Sequence, residues 1–540
     1  MSRNLSVIKI ILLLMLLSSA AFGASESKDD FGSLLQDGEA DIRKWDVSGA
    51  SAKADKALGL AETDEQKHDA YYLKAVTEYY KGDYGAAGEY AGNALRTAGS
   101  GKKDEEDGFM EFIQYSVGKK PEFREVKSEH FTIRYAHPED YIIAEYGKDV
   151  LEKSRFEIGL DLEEYPEEPV IVEIYPDLES FTTASTLPPE NVEKTGVVGI
   201  CKFNRIMVLS PRLLPKGYAW SDTLAHEYTH YLIFLKSENT VPVWLHEGIA
   251  KFEESRWRES KRNVLSPFYE TILAQAFKKN GLVPIEKMHP SLALLDSARE
   301  AQLAFAQAGT SVSFLVDKWG NEGLVGLLEA MKARDDYKAA ISDVTGLDFD
   351  TFYGSWKKYL EKKNLTEKIP GIKVKGIRIS NNEGEKGDGS EDLVDIDNGK
   401  ARGHTRLGDL LGARGRLRSA SFEYEKALWF DPGSPLISTR LASALNSSGE
   451  TDRALGILDP LLEFYPENVD IHIVLGRIYL ERGNLSKAEE SYLSAVSINP
   501  FDPEVHTALA AIYEKEGRTK EAERERKVLD ILAKKDGQNE

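Results

Sequence analysis

A chain of 540 residues has room for three or four domains, and 90 Asp and Glu against 69 Lys and Arg leave it with a net charge of −21. That balance argues against a phosphate backbone or an anionic membrane surface as partner. No glycine-rich phosphate loop or aromatic-basic nucleic-acid pattern interrupts the sequence. A single cysteine, Cys201, rules out an intrachain disulfide, so large apolar cores must supply the stability; within its strand-like run it reads as a buried small residue.

The chain opens with Arg3 and Lys9, an apolar run from Ile10 to Leu17, and small residues through Gly23. This is the layout of a secretory signal peptide over 1–23, with cleavage expected before Ala24. The apolar run is shorter than the roughly 20 residues that span a bilayer. No second membrane segment follows, and no cysteine lies close behind it for a lipid anchor. The expected location is periplasmic or extracellular, with no membrane span after cleavage. Residues 28–118 predict helices. Tyr71, Tyr72 and Leu73, then Gly82 and Asp83, then Ala87, Ala91 and Ala94 form a degenerate helical repeat, read either as one or two divergent units or as a plain helical hairpin.

From residue 121 the pattern changes. Alternating residues over 131–135 and an apolar run over 170–175 predict strands on either side of a helical stretch at 140–157. A further strand-like segment, 196–211, precedes the densest cluster of chemistry in the chain. His226 and His230 are four residues apart, so on a helix both imidazoles can address one ion. Glu227 is turned about 100° from His226, beside the ion, as the natural general base for water. Leu224, Ala225, Tyr228, Tyr231, Leu232 and Ile233 surround these polar groups with apolar ones, where unpaired charge is costly. Two histidines leave a tetrahedral ion needing another protein ligand, and Glu247, 17 residues after His230, is the candidate. The polar, proline-ending 236–242 reads as the connection between two motif helices. The expected cofactor is Zn²⁺.

The segments His226-Glu227-Tyr228-Thr229-His230 and Trp244-Leu245-His246-Glu247-Gly248-Ile249-Ala250 resemble the gluzincin metallopeptidases, and their context resembles the peptidase-MA-like domain. The resemblance covers 121–365. It implies His226, His230 and Glu247 as zinc ligands, Glu227 as base, and a zincin-like α+β fold in which a small twisted sheet is covered by the motif helices. It also implies that 196–211 contains the edge strand, which either binds an extended substrate by strand addition or is an ordinary core strand. Phe305 stands where relatives are expected to carry a tyrosine. A phenol commonly stabilises the oxyanion of a tetrahedral intermediate; Tyr269, with Tyr231 and His289 as alternatives, is the candidate donor here. Glu254, seven residues after Glu247, is the candidate partner for the far nitrogen of a ligand histidine, in competition with Glu253 and Asp222. His246 reads as a neighbour, not a ligand.

Residues 376–400 are polar and glycine-rich and read as a flexible linker that lets the flanking parts move. Beyond it, over 401–535, leucines 407, 441, 475 and 509 recur every 34 residues, as do glycines 415, 449, 483 and 517 and alanines 420, 454, 488 and 522. Period and residue types resemble tetratricopeptide repeats, four helix pairs stacked as an α-solenoid. Gly408 and Gly476 let paired helices approach, and Tyr424 and Tyr492 fill the gaps. The concave face is expected either to bind a protein partner or to pack on the metal domain. Together these readings give an exported zinc metallopeptidase acting on protein or peptide substrates, with repeats for protein interaction. The alternative is an exported repeat scaffold whose zincin domain is structural or degenerate.

Overall fold

A computed structural model describes residues 30–98, 105–259, 262, 264–289, 291–334, 336–369, 379 and 392–536. The expected signal peptide and most of the expected linker lie outside the described residues. The N-terminal region folds as helices α1 (Phe31–Arg43), α2 (Val47–Leu60), α3 (Asp64–Tyr80), α4 (Tyr84–Thr97) and α5 (Glu105–Lys119). Thr63 and Gln66 form a reciprocal capping box at the start of α3. Asp83 caps α4, and Gly82 between the two helices sits at φ 71°. Gly415, Gly449, Gly483 and Gly517 take the same left-handed conformation, at φ 70°, 87°, 73° and 74°, so the α3/α4 hairpin turns as the C-terminal hairpins do.

Among the described residues, strands β1 (Arg124–Lys127), β2 (Phe131–Tyr135), β3 (Val170–Tyr175), β4 (Gly199–Lys202) and β5 (Arg205–Leu209) form one sheet in the order β1-β2-β3-β5-β4. β1 and β4 are antiparallel to their neighbours, and the central pairings are parallel. The parallel step from β2 to β3 is made by the crossover helix α6 (Tyr141–Leu162). The 196–211 segment is thus a hairpin: β5 is internal and fully buried, and only β4 lies at the edge. Phe203 and Asn204 make its two-residue turn at φ 54° and 58°. Phe203 is held in this unusual conformation by burial against Tyr79, Tyr80 and Phe109.

One sheet face packs on the N-terminal helices, and a buried polar network ties the two together. Tyr84 donates to Glu173 on β3 at 2.6 Å and accepts from Arg205 on β5 at 2.8 Å; Tyr175 also donates to Glu173. Two short helices, α7 (Leu178–Ser185) and α8 (Pro189–Thr195), link β3 to β4, and the other face carries α6, α9 (Trp220–Ser237) and α10 (Val243–Glu253). Next come α11 (Pro267–Lys278) and α12 (Ala298–Ala333), which is broken at Gly320 by non-helical φ/ψ. The domain closes with α13 (Tyr337–Thr345) and α14 (Phe349–Lys362).

The C-terminal helix pairs are α15 (Gly399–Ala413) with α16 (Leu417–Phe430), α17 (Pro435–Ser447) with α18 (Thr451–Phe464), α19 (Val469–Glu481) with α20 (Leu485–Val496), and α21 (Pro503–Glu516) with α22 (Thr519–Asp536). A Cβ on Gly408 would meet Tyr424 at 2.5 Å and one on Gly476 would meet Tyr492 at 2.8 Å, which is why glycine stands opposite each tyrosine. The repeated alanines are buried in all four pairs, but the repeated leucine is 45 % exposed at Leu407 and buried at 441, 475 and 509. Among the described residues no helix pair stacks before the first one to cover that leucine.

Two expectations are corrected. The linker gives way before residue 393: Leu393 and Ile396 are buried in the core of the first repeats, because these apolar residues close its open end. The repeats also do not swing free. Val469, Tyr492, Val496, Ile498, Val505 and Leu532 share a continuous apolar core with Ile142, Tyr146 and Trp220. Trp220 Nε1 donates to the Val496 carbonyl at 2.7 Å, and the Tyr218 amide to the Ile498 carbonyl at 3.0 Å. Tyr146 donates to Glu525 at 2.6 Å. The two later repeats therefore use much of one face for packing on the sheet domain. No helix among the described residues is long and apolar enough to cross a membrane.

Candidate metal centre

α9 carries His226, Glu227 and His230 on consecutive turns, and Pro242 starts α10 so that Glu247 faces them. His226 Nε2 and His230 Nε2 each lie 3.3 Å from Glu247 Oε2. One ligand atom from each of the three residues falls within 4.8 Å of the others, the only such group of three among the described residues. Ligand atoms about 2.0–2.1 Å from a tetrahedral zinc are about 3.3 Å apart. The spacing of the donor atoms and their chemistry, two imidazoles and a carboxylate, therefore fit that ion.

Each histidine's far nitrogen has a partner. His226 Nδ1 lies 3.3 Å from Glu254 Oε2, while His230 Nδ1 lies 2.5 Å from His246 Nδ1. Burial alone would lower His226, but the Glu247 and Glu254 carboxylates outweigh it and hold the imidazole up at about 10. Burial and the neighbouring His230 pull His246 down to about 3, so it is neutral and one of its ring nitrogens is a lone-pair acceptor. Burial would raise the Glu247 carboxyl; the His230 and His226 imidazoles override this and hold it well below the usual range. The competitors for the Glu254 position lie elsewhere: Glu253 is buried against Arg262, and Asp222 accepts from Trp257 and Arg258.

Glu227 is buried, and its Oε2 has no hydrogen-bond partner. Burial raises its carboxyl, opposed by the His230 and His226 imidazoles. A Cβ on Gly199 would stand 2.6 Å from Glu227 Oε1, so the edge strand lies directly on this carboxylate. The Leu209 amide donates to the Val198 carbonyl. In the alternation of an antiparallel pair this turns the backbone groups of Gly199 and Cys201 toward the open edge.

The site opens into a cavity of about 1550 Å³. Its walls come from three regions: the N-terminal helices, through Ile42, Trp45, Tyr72 and Phe109; the sheet domain; and the repeats, through Glu467. Trp45 stacks on Phe234 of α9 with ring centroids 3.6 Å apart. Phe305 packs edge-on to His226 at 6.2 Å. Of the candidate oxyanion donors, Tyr269 and His289 line the cavity. The Tyr269 phenol donates to Gln302 at 2.9 Å with the Lys251 ammonium over its ring. Tyr231 instead donates to Asn204, at the hairpin turn. Cys201 is part-buried, and burial raises its thiol well above the ordinary range, with the Glu227 charge adding to the rise.

Sequence reading missed the contact of His246 with His230, although its place beside Glu247 was the available signal: a side chain turned away from the ion is turned toward the far edge of its ligand. It also missed Gly199 and Glu467, which have no local signature.

Residues 157–362 match the sequence model of the Peptidase MA superfamily, and residues 445–512 match that of the tetratricopeptide repeat. The chain thus carries a Peptidase MA domain followed by tetratricopeptide repeats. No curated protein matches it. Among solved structures, the crystal structure of MamA is 21 % identical, covering 28 % of this chain and 86 % of its own, with a TM-score of 0.23. MamA AMB-1 is 25 % identical over 27 % of this chain and 86 % of its own, at 0.23. MamA 41-end from Desulfovibrio magneticus RS-1 is 20 % identical over 28 % and 98 %, also at 0.23.

Proposed function

We propose that this chain is an exported zinc metallopeptidase that hydrolyses peptide bonds in protein or peptide substrates. The observation that carries the reading is the convergence of both Nε2 atoms on Glu247 Oε2 at 3.3 Å, the spacing of a tetrahedral ligand set. Export rests on Arg3, Lys9 and the apolar run that follows them.

His226, His230 and Glu247 would hold the ion, with Glu254 and His246 fixing the two imidazoles by their Nδ1 atoms. When bound, zinc supplies Lewis acidity that activates water and polarises a peptide carbonyl. Glu227 takes the water proton at its unpartnered Oε2 and passes it to the departing amine nitrogen. Its burial makes it a stronger base than an exposed glutamate. The open backbone edge of β4 receives the substrate as an added strand, which lays the scissile bond along Gly199 and Cys201 beside Glu227.

The test is chelator-sensitive cleavage of a diverse peptide library by the full chain and by Glu227→Gln. Metal content should be unchanged and cleavage lost by on the order of 10³-fold or more. Cleavage that survives the substitution would remove Glu227 from the mechanism. A specific observation favours a second reading, a metal-holding scaffold. Phe305 offers no donor, and the Tyr269 phenol is already engaged by Gln302. Stoichiometric zinc with no cleavage by the native chain would select that reading.

A further inference from the structure

Lys202, the last residue of β4, carries a charge that the chemistry above does not use. It lines the cavity, its ammonium donates to Thr186 Oγ1 at 2.7 Å, and it rests over the Phe203 ring at 4.8 Å. No carboxylate among the described residues pairs with it, and burial with no countering charge pulls it down to about 8. An ammonium has three donors and no acceptor. One hydroxyl leaves the other two to the cavity, where a part-buried cation gains from any anion that shares the site.

The contacts of β4 give the cleft a direction. Gly199 lies against Thr223 and Glu227, and Asn204, just past Lys202, accepts from Tyr231, so β4 runs in the same sense as α9. The start of α9 is bonded to the repeats through Trp220, and its last turns stack on Trp45 of the N-terminal region. Lys202 therefore stands at the N-terminal-helix end, whose other lining residues include Tyr72, Val76 and Phe109. Glu467 and Asp222 stand at the repeat end. A peptide added to β4 in the more stable antiparallel sense lays its N-terminal half beside Lys202 and its C-terminal half toward Glu467.

We propose that Lys202 is a substrate-binding residue that holds a side-chain carboxylate on the N-terminal side of the scissile bond, so that the cleft selects peptides with Glu or Asp before the cut. This rests on the peptidase reading for the position of the cut, and on the cavity alone for the binding. The Glu467 end repels the same carboxylate, so the preference has a direction.

The probes are capped decapeptides with one Glu stepped along an otherwise uncharged sequence, each matched by its Gln counterpart. Cleavage by the full chain is read by mass spectrometry, and binding is read by anisotropy on Glu227→Gln. Glu before the cut should improve kcat/KM and Kd over Gln by about 10-fold or more, and Glu after the cut should not. Lys202→Met in each background should erase the difference. Lys202→Gln, which keeps a donor for Thr186, should erase it too, and so guards against misfolding of the first variant. Equal binding of Glu and Gln peptides, a preference that survives both substitutions, or no binding of either series overturns the proposal. A Lys202-dependent binding preference without any cleavage sustains it and overturns the peptidase reading instead.

Discussion

The Nδ1 atoms of His230 and His246 lie 2.5 Å apart, and a neutral His246 can accept a hydrogen from His230 there while His230 aims Nε2 at Glu247. Replacing His246 with Ala should leave the fold intact and weaken zinc binding about 10–100-fold in a chelator competition, because the imidazole then loses its fixed tautomer and orientation. Glu254→Gln should act in the same direction through His226. Without metal, the His226 imidazole is held up at about 10 by Glu247 and Glu254 against the opposing pull of burial. An ion bound at Nε2 must displace that proton, so metal affinity should fall as pH decreases, with protons released on binding by calorimetry in buffers of different ionisation enthalpy. Affinity that is flat between neutral pH and pH 5 would contradict the assignment of His226.

At the scale of the element, the edge strand depends on a glycine for its closeness to the motif helix. Gly199→Ala would bring a methyl to 2.6 Å from Glu227 Oε1 and 2.9 Å from Thr223 Cγ2. The expected result is a displaced carboxylate: cleavage lost by at least about 10-fold, with metal content unchanged. The loop leading into α9 depends on Gly217 in a different way. It sits at φ 70°, and a Cβ there would lie 2.2 Å from the Ile498 carbonyl oxygen. Gly217→Ala should cost about 2–4 kcal/mol in chemical denaturation, from strain at positive φ and from the broken seat of the repeats.

At the scale of the whole molecule, an apolar core runs from the sheet domain into the repeats, and the two parts should unfold as one cooperative unit. Calorimetry should show them melting together, and Tyr146→Phe, which removes a donor from a buried carboxylate, should lower stability by about 1.5–3 kcal/mol. The same joint gives acid sensitivity. Burial would raise Glu525, but the hydrogen bonds of His506 and Tyr146 and the charge of Arg524 outweigh it and hold the carboxyl below its ordinary 4.5. A folded-state value below the unfolded one contributes stability that is full above about 4.5 and lost as pH falls through the lower, folded value. The native chain should therefore lose more melting temperature below pH 4.5 than Glu525→Gln does. Equal slopes would place the acid sensitivity elsewhere.

Several features were legible in the sequence by itself because they depend on spacing along one helix or on repetition. His226, Glu227 and His230 are arranged by the pitch of α9, and the helix pairs of 401–535 follow from leucine, glycine and alanine recurring every 34 residues. The strand over 131–135 and that over 170–175 followed from alternation and apolar runs. Only the tertiary structure decided which residues meet across elements. The docking of the repeats on the sheet domain, the approach of Gly199 to Glu227, the contact of His246 with His230 and the entry of Glu467 into the cavity join residues up to hundreds of positions apart. No local pattern encodes such contacts, because burial of apolar area is indifferent to the order of residues along the chain. The same holds for Lys202, whose place on the cavity wall with no acidic partner among the described residues is set by the fold and not by its neighbours in the sequence.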